Sequence, residues 1–215
     1  GEAGSKTVSN LVVSRSGNDG HSPMFFCTKL NAYLLAHSNV VTETQNWIRS
    51  VVIGCNFCPF AAKAMMRNTI RYTVMQNCTT EEALDGLTEE FLFLSENDTI
   101  ETSFLIFENS FGNFDNYLDI VHLAESVAAS KSWKGIFQVA GFHPEYCFEG
   151  EDADDPANFT NRSMYPMFHI LRERSITAAV EHFPHPDTIP ERNIEYAQGK
   201  GLKYMELLRA SCFAP

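Results

Sequence analysis

The chain has 215 residues, of which 44% are hydrophobic and 20% charged, and a formal net charge of −11. That length fits one domain with an appendage, and the composition is that of a soluble globular protein with enough apolar material for a core. So acidic a balance argues against binding bare nucleic acid, and no run approaches the roughly 18 consecutive apolar residues of a membrane-spanning helix.

Residues 1–40 open on small polar stretches, GEAGSKTVSN and SRSGNDGHSP, with no signal-peptide core and no starting Met. They are expected to form a processed N-terminal arm, in which Met24–His37 is apolar enough for a short helix. A single α/β domain is expected over 41–215. Thr42 or Thr44 predicts the cap of a helix carrying Trp47, Ile48, Val51 and Val52, closed by Gly54. Pro59 suits the first turn of a short helix, PFAAKAMMR. Ile70–Gln76 reads as a strand. Thr79 and Thr80, followed by Glu81 and Glu82, open a helix with Leu84, Leu87, Phe91 and Leu94 at helical spacing. Thr102–Phe107 is a second strand. Asn113 or Asp115 then caps a helix with Tyr117, Leu118, Val121, Leu123 and Ala124, and Ile136–Phe142 is the third strand. Three strands separated by two helices predict an α/β fold (α+β is the alternative) with a βαβαβ core of parallel or mixed pairing. After a polar loop, helices are expected over Met164–Arg174, Ser175–Phe183 and around Ile194–Arg209, which makes the C-terminal third helical.

Three stretches could carry chemistry. Cys55-Asn-Phe-Cys58 precedes a helix, where the helix N-terminus favours thiolate, so the pair suits thiol redox work or two small buried residues. The loop Phe142–Pro166 is long, yet Pro144, Pro156 and Pro166 restrict it and aromatic side chains anchor it. It holds His143, Asp152, Asp154, Asp155, Asn158, Asn161 and Arg162, with His169 just beyond. These could bind a divalent metal of open identity, supply a general acid and base, or solvate and cap the backbone. The third stretch contains His182, His185, Glu191, Arg192 and Asn193; Pro184 and Pro186 prevent a regular helix there. Glu191 and Arg192 are expected to pair with Arg162 and the loop aspartates. Six cysteines are too dilute for a disulfide scaffold and favour a reducing compartment, although sequons stand at Asn77, Asn97, Asn158 and Asn161. The sequence contains no Walker loop, Rossmann glycine pattern, nucleophile elbow or HExxH.

The segments TQNWIRSVVIGCNFCPFA, FHPEYCF, DDPANFTNRSMYPMFHILRE and IPERNI resemble, in order, the family known as domain of unknown function 1415, from about Thr42 to Glu195. The resemblance supplies positions rather than a reaction. It implies functional weight for Cys58, Pro59, His143, Pro144, Tyr146, Asp155, Pro156, Asn158, Thr160, Asn161 and Arg162, then for Pro166, His169, Arg172, Pro190, Glu191, Arg192 and Asn193. Family members often carry an apolar or amide residue where Cys55 stands, which weakens the dithiol reading.

Three functional readings follow. In the first, Cys58, His143, Asp155 and His169 are catalytic, and Asn158, Asn161, Arg162, Arg172, Glu191, Arg192 and Asn193 bind the ligand. Arg162 and Arg192 would hold a small anionic group; no cofactor is identified. In the second, the protein is a non-catalytic peripheral subunit of a large organellar membrane complex, for example a photosystem in a plastid, docked through residues 1–40 after loss of a targeting peptide. The third is thiol redox chemistry at Cys55 and Cys58.

Overall fold

The computed structural model describes residues 39–181 and 183–214. The arm expected over 1–40 lies outside the described residues except for its last two, and so does His182. Residues 39–47 are α-helical (α1) and run directly into a π-helix, Ile48–Ile53, in which Gly54 N–H donates to Arg49 C=O at 3.0 Å. Neither threonine caps α1. Thr44 sits within it and its hydroxyl donates back to Val40 C=O at 2.8 Å. Gly54 does end the wide turn, since a Cβ there would lie 2.2 Å from Ser50 C=O.

The remaining elements are α2 (Ala61–Met66), β1 (Ile70–Gln76), α3 (Thr80–Glu96), β2 (Thr102–Glu108), α4 (Phe114–Ala128), β3 (Phe137–Phe142), β4 (Met167–Arg172), α5 (Glu173–Glu181), α6 (Ile189–Lys200) and α7 (Leu202–Ala210). The starts of α3 and α4 follow from local chemistry. Thr79 and Glu82 form a capping box, and the Asn113 side chain accepts from Asn116 N–H. On α4 the inward residues are Tyr117, Ile120, Ala124 and Ala128, while Leu123 faces outward.

One element contradicts the sequence reading. Met164–Arg174, expected to be a helix, contains β4, which occupies the slot between β2 and β3. The sheet order is β1-β2-β4-β3, with β1 parallel to β2 and β4 antiparallel to both of its neighbours. The expected βαβαβ run is present along the chain, but β3 is displaced one place outward. A central strand covered on both faces has no polar alternation to betray it, so MFHILR reads equally as a buried helix. The expected terminal helix is also longer and divided. It begins at Ile189 and breaks at Gly201, where φ is +81°.

Alternate residues of the sheet feed two cores. Leu105, Phe107, Phe168 and Ile170 pack against α3 and α4. Phe104, Ile106 and Met167 face the opposite core, which holds Trp47, Ile48, Val51, Ala197 and Met205 from α1, the π-helix, α6 and α7. The polar loop leaves β3 at the edge of this second layer and returns as β4, so it is clamped between the sheet end and the helices.

Candidate functional site

The loop folds around a short 3₁₀ helix, Pro156–Thr160. Asp155 caps it by accepting from Ala157 N–H at 2.7 Å, and Pro156 presets its first turn. Asp155 also accepts from Gln198 of α6 at 3.1 Å. Asn158 has no exposed surface. Its Oδ1 accepts from Phe148 N–H at 3.0 Å and its Nδ2 donates to Asp152 C=O at 2.9 Å. Asn161 accepts from the Thr160 hydroxyl at 3.1 Å and lies beside the Tyr146 hydroxyl. Arg162 donates from Nε to Tyr146 C=O at 2.8 Å and from Nη2 to Ala153 C=O at 2.7 Å, with its guanidinium over the Phe159 ring. The motif residues 155–162 thus hold the backbone of the loop.

His143 is wholly buried between Phe114 and Tyr117. Glu145 N–H donates to its Nδ1 at 3.0 Å, so Nδ1 carries the lone pair and Nε2 carries the proton that it donates to Phe111 C=O at 2.9 Å. Both nitrogens are occupied by backbone, and desolvation lowers the pKa. The ring is locked neutral in one tautomer.

The Cys55–Cys58 turn is tied to α6. Arg192 donates to Asn56 C=O at 2.6 Å and to Asn193 Oδ1 at 3.1 Å, while Asn193 Nδ2 donates to Phe57 C=O at 2.7 Å. The network expected between Glu191, Arg192, Arg162 and the loop aspartates is therefore not the one that forms; Glu191 lies exposed in the first turn of α6. Burial raises the thiol pKa of Cys58 despite the backbone N–H groups of Phe60 and Ala61 beside it. Burial likewise raises Cys55, whose thiol meets the Tyr196 hydroxyl.

Two expected site residues stand elsewhere. Arg172 ends β4 opposite Phe137, five residues and about 17 Å along the strand from the loop end of the sheet. There it gathers the carbonyls of Leu94, Asn97 and Ile100, which close α3. His169 lies in mid-sheet, its ring stacked on Phe104 at 4.1 Å. The Thr102 hydroxyl donates to Ile170 C=O and therefore accepts from His169 Nε2–H at 2.8 Å. The residue as a whole is half-buried, but its ring is flanked by Phe104 and Phe142, and desolvation pushes its pKa down to about 3.

What the structure does bring together is a pair of cations, one of which sequence reasoning missed. Arg209 of α7 donates from Nε to Ser163 C=O at 2.8 Å, next to Arg162. Its pKa is lowered first by desolvation and then by the charge of Arg162. Among the described residues neither arginine forms an ion pair; such pairs involve Arg71, Arg174 and Lys203. A lone arginine near the chain's end carries no sequence signal that would link it to a loop 46 residues earlier. Trp47 completes the seam by donating from Nε1 to Arg162 C=O at 3.0 Å. Among the described residues no group of three His, Cys, Asp or Glu side chains is placed to hold a metal ion, and no helix is long and apolar enough to cross a membrane.

Residues 39–206 match the family model described as protein of unknown function (DUF1415). The chain belongs to that family. No curated protein and no solved structure matches it.

Proposed function

We propose that this member of the DUF1415 family binds a small oxyanion, a phosphate or carboxylate group, through Arg162 and Arg209, and that the polar loop is a rigid platform for binding rather than a reaction centre. The observation that carries this reading is that two half-buried arginines meet at Ser163 and neither is within ion-pair distance of a carboxylate among the described residues, although the charges of Glu145, Asp154 and Glu206 act on Arg162 and that of Glu145 on Arg209. Two like charges held together and partly desolvated favour an anion between them, met by the Nη groups that the two arginines do not commit to backbone carbonyls. Catalysis is disfavoured by the engagement of His143 with backbone on both sides and by the raised thiol pKa of Cys58.

The test is isothermal titration of inorganic phosphate, and separately of citrate, into the full chain and its Arg209→Gln variant. Losing one charge-assisted contact of about 1.5–3 kcal/mol predicts weakening of at least about tenfold. Equal affinity in the variant, or no binding to the parent protein, rejects the reading.

A second reading, a peripheral subunit of a larger organellar assembly, is favoured by the exposed apolar side chains Tyr204, Leu207 and Phe213 at the end of the chain. Its docking element, residues 1–40, is testable by deletion. A native gel in which the truncated protein still co-migrates with its assembly would rule the arm out as the attachment.

A further inference from the structure

Building on the oxyanion reading of Arg162 and Arg209, we propose that the ligand held there is a zwitterion, a small molecule with an ammonium group beside its phosphate or carboxylate, and that Glu145 receives the ammonium. Arg162 is anchored at two carbonyls, and each adjoins a carboxylate residue in the chain. Its Nε donates to Tyr146 C=O, next to Glu145, and its Nη2 donates to Ala153 C=O, next to Asp154. Arg209 lies three positions after Glu206 on α7, the spacing of neighbours on a helix surface. The two cations therefore stand among three anions, and the charges of Glu145, Asp154 and Glu206 all act on Arg162. Yet the ion pairs of the described residues are Arg71–Glu90, Arg174–Asp98 and Lys203–Glu206, so neither arginine is neutralised by direct contact.

Such a field discriminates by charge pattern. A bare oxyanion drawn to the two guanidiniums is repelled by the carboxylates around them, whereas a molecule carrying both signs meets an opposite charge at each end. Glu145 is the carboxylate best placed for the positive end. Of the three, it is the one whose charge acts on Arg209 as well as on Arg162. Its backbone is held on both sides. The Glu145 N–H donates to the buried His143 ring at 3.0 Å, and the next carbonyl, that of Tyr146, accepts from Arg162 at 2.8 Å. Its side chain is exposed and makes no hydrogen bond or ion pair among the described residues. A carboxylate carried on anchored backbone, beside cations it does not contact, gives up little freedom when a ligand arrives.

The test is isothermal titration of the full chain with two matched pairs, phosphoethanolamine against ethyl phosphate and β-alanine against propionate. Within each pair the acid group is constant and the ammonium is present or absent, and the two pairs tell a phosphate ligand from a carboxylate one. In the pair whose acid the site takes, the ammonium member should bind at least about tenfold tighter, the gain expected of one charge-assisted contact. Glu145→Gln keeps the backbone N–H that His143 accepts, and should bring the two members to within about twofold of each other. Equal affinity within both pairs overturns the zwitterion and leaves the oxyanion reading standing, whereas no binding by any of the probes overturns both. A preference for ammonium that survives in Glu145→Gln overturns the role given to Glu145. The paired comparison uses the unaltered chain and so decides the ligand class even if the variant does not fold.

Discussion

Replacing His143 by Phe separates a structural from a catalytic role. A phenyl ring keeps the volume packed between Phe114 and Tyr117, so the cavity cost is small. It cannot accept from Glu145 N–H or donate to Phe111 C=O. Both bonds are only partly buried, so losing them costs about 0.5–1.5 kcal/mol each, or about 1–3 kcal/mol in all, against a typical domain stability of about 5–15 kcal/mol. The pH dependence sharpens this. The folded pKa of His143 is lowered, so its contribution is fully present above the unfolded value near 6.5 and is lost as pH falls toward the folded value. The loss is about 1.4 kcal/mol per pH unit within that window, and the His143→Phe variant, with no imidazole to titrate there, would be immune to it. His169 shifts in the same sense but is present in both proteins and cancels. Urea denaturation followed by circular dichroism should therefore show a deficit for His143→Phe at pH 7 that narrows at pH 5. A variant within about 0.5 kcal/mol of the parent at pH 7 would refute the reasoning, because two backbone hydrogen bonds lost at a packed ring are not that cheap.

Other predictions rest on separate features. Glu90, 2% exposed, accepts from Arg71, Thr73 and Ser103, so Glu90→Ala should cost about 3–5 kcal/mol in urea denaturation by stranding a buried guanidinium. The double variant Arg71→Met with Glu90→Leu should regain most of that loss, and a double variant no better than the single would show that the charge is not the cause. Gly54→Ala should lower the melting temperature by several degrees, on the basis of about 1–3 kcal/mol of strain, because the obstructing atom is the backbone oxygen of Ser50. Cys55 and Cys58 should react with a thiol reagent at pH 7 more slowly than free cysteine, since burial raises both. Rapid labelling of either in the folded protein would return the thiol reading to contention.

The parts of the fold readable in advance were those coded by neighbours in the chain. β1, the capping box at Thr79 and the Asn113 cap all depend on residues within a few positions of one another. β4 was not readable, because a strand buried on both faces and a buried helix share one pattern of hydrophobicity. The seclusion of Arg172 followed from that error, since as part of a helix it belonged near the loop, whereas as the end of a strand it sits at the far side of the sheet. Within the loop, residue types were visible but their direction was not. Asn158 and His143 look like chemistry in a sequence, and in the structure each bonds backbone groups at short range. The bond from Arg209 to Ser163 C=O depends on how α7 docks, which only the closed tertiary structure decides.

The second core has a temporal consequence. Asn46 of α1 donates to Cys212 C=O, 166 positions later, and Glu43 accepts from Ala214 N–H, 171 positions later. At a synthesis rate of about 5–20 residues per second, α1 with its Trp47 waits on the order of ten seconds before its partners leave the ribosome. The layer of α3 and α4 can assemble earlier, leaving one apolar side of the sheet bare during that interval. Such high-separation contacts slow folding and prolong the exposure of that side until α7 arrives.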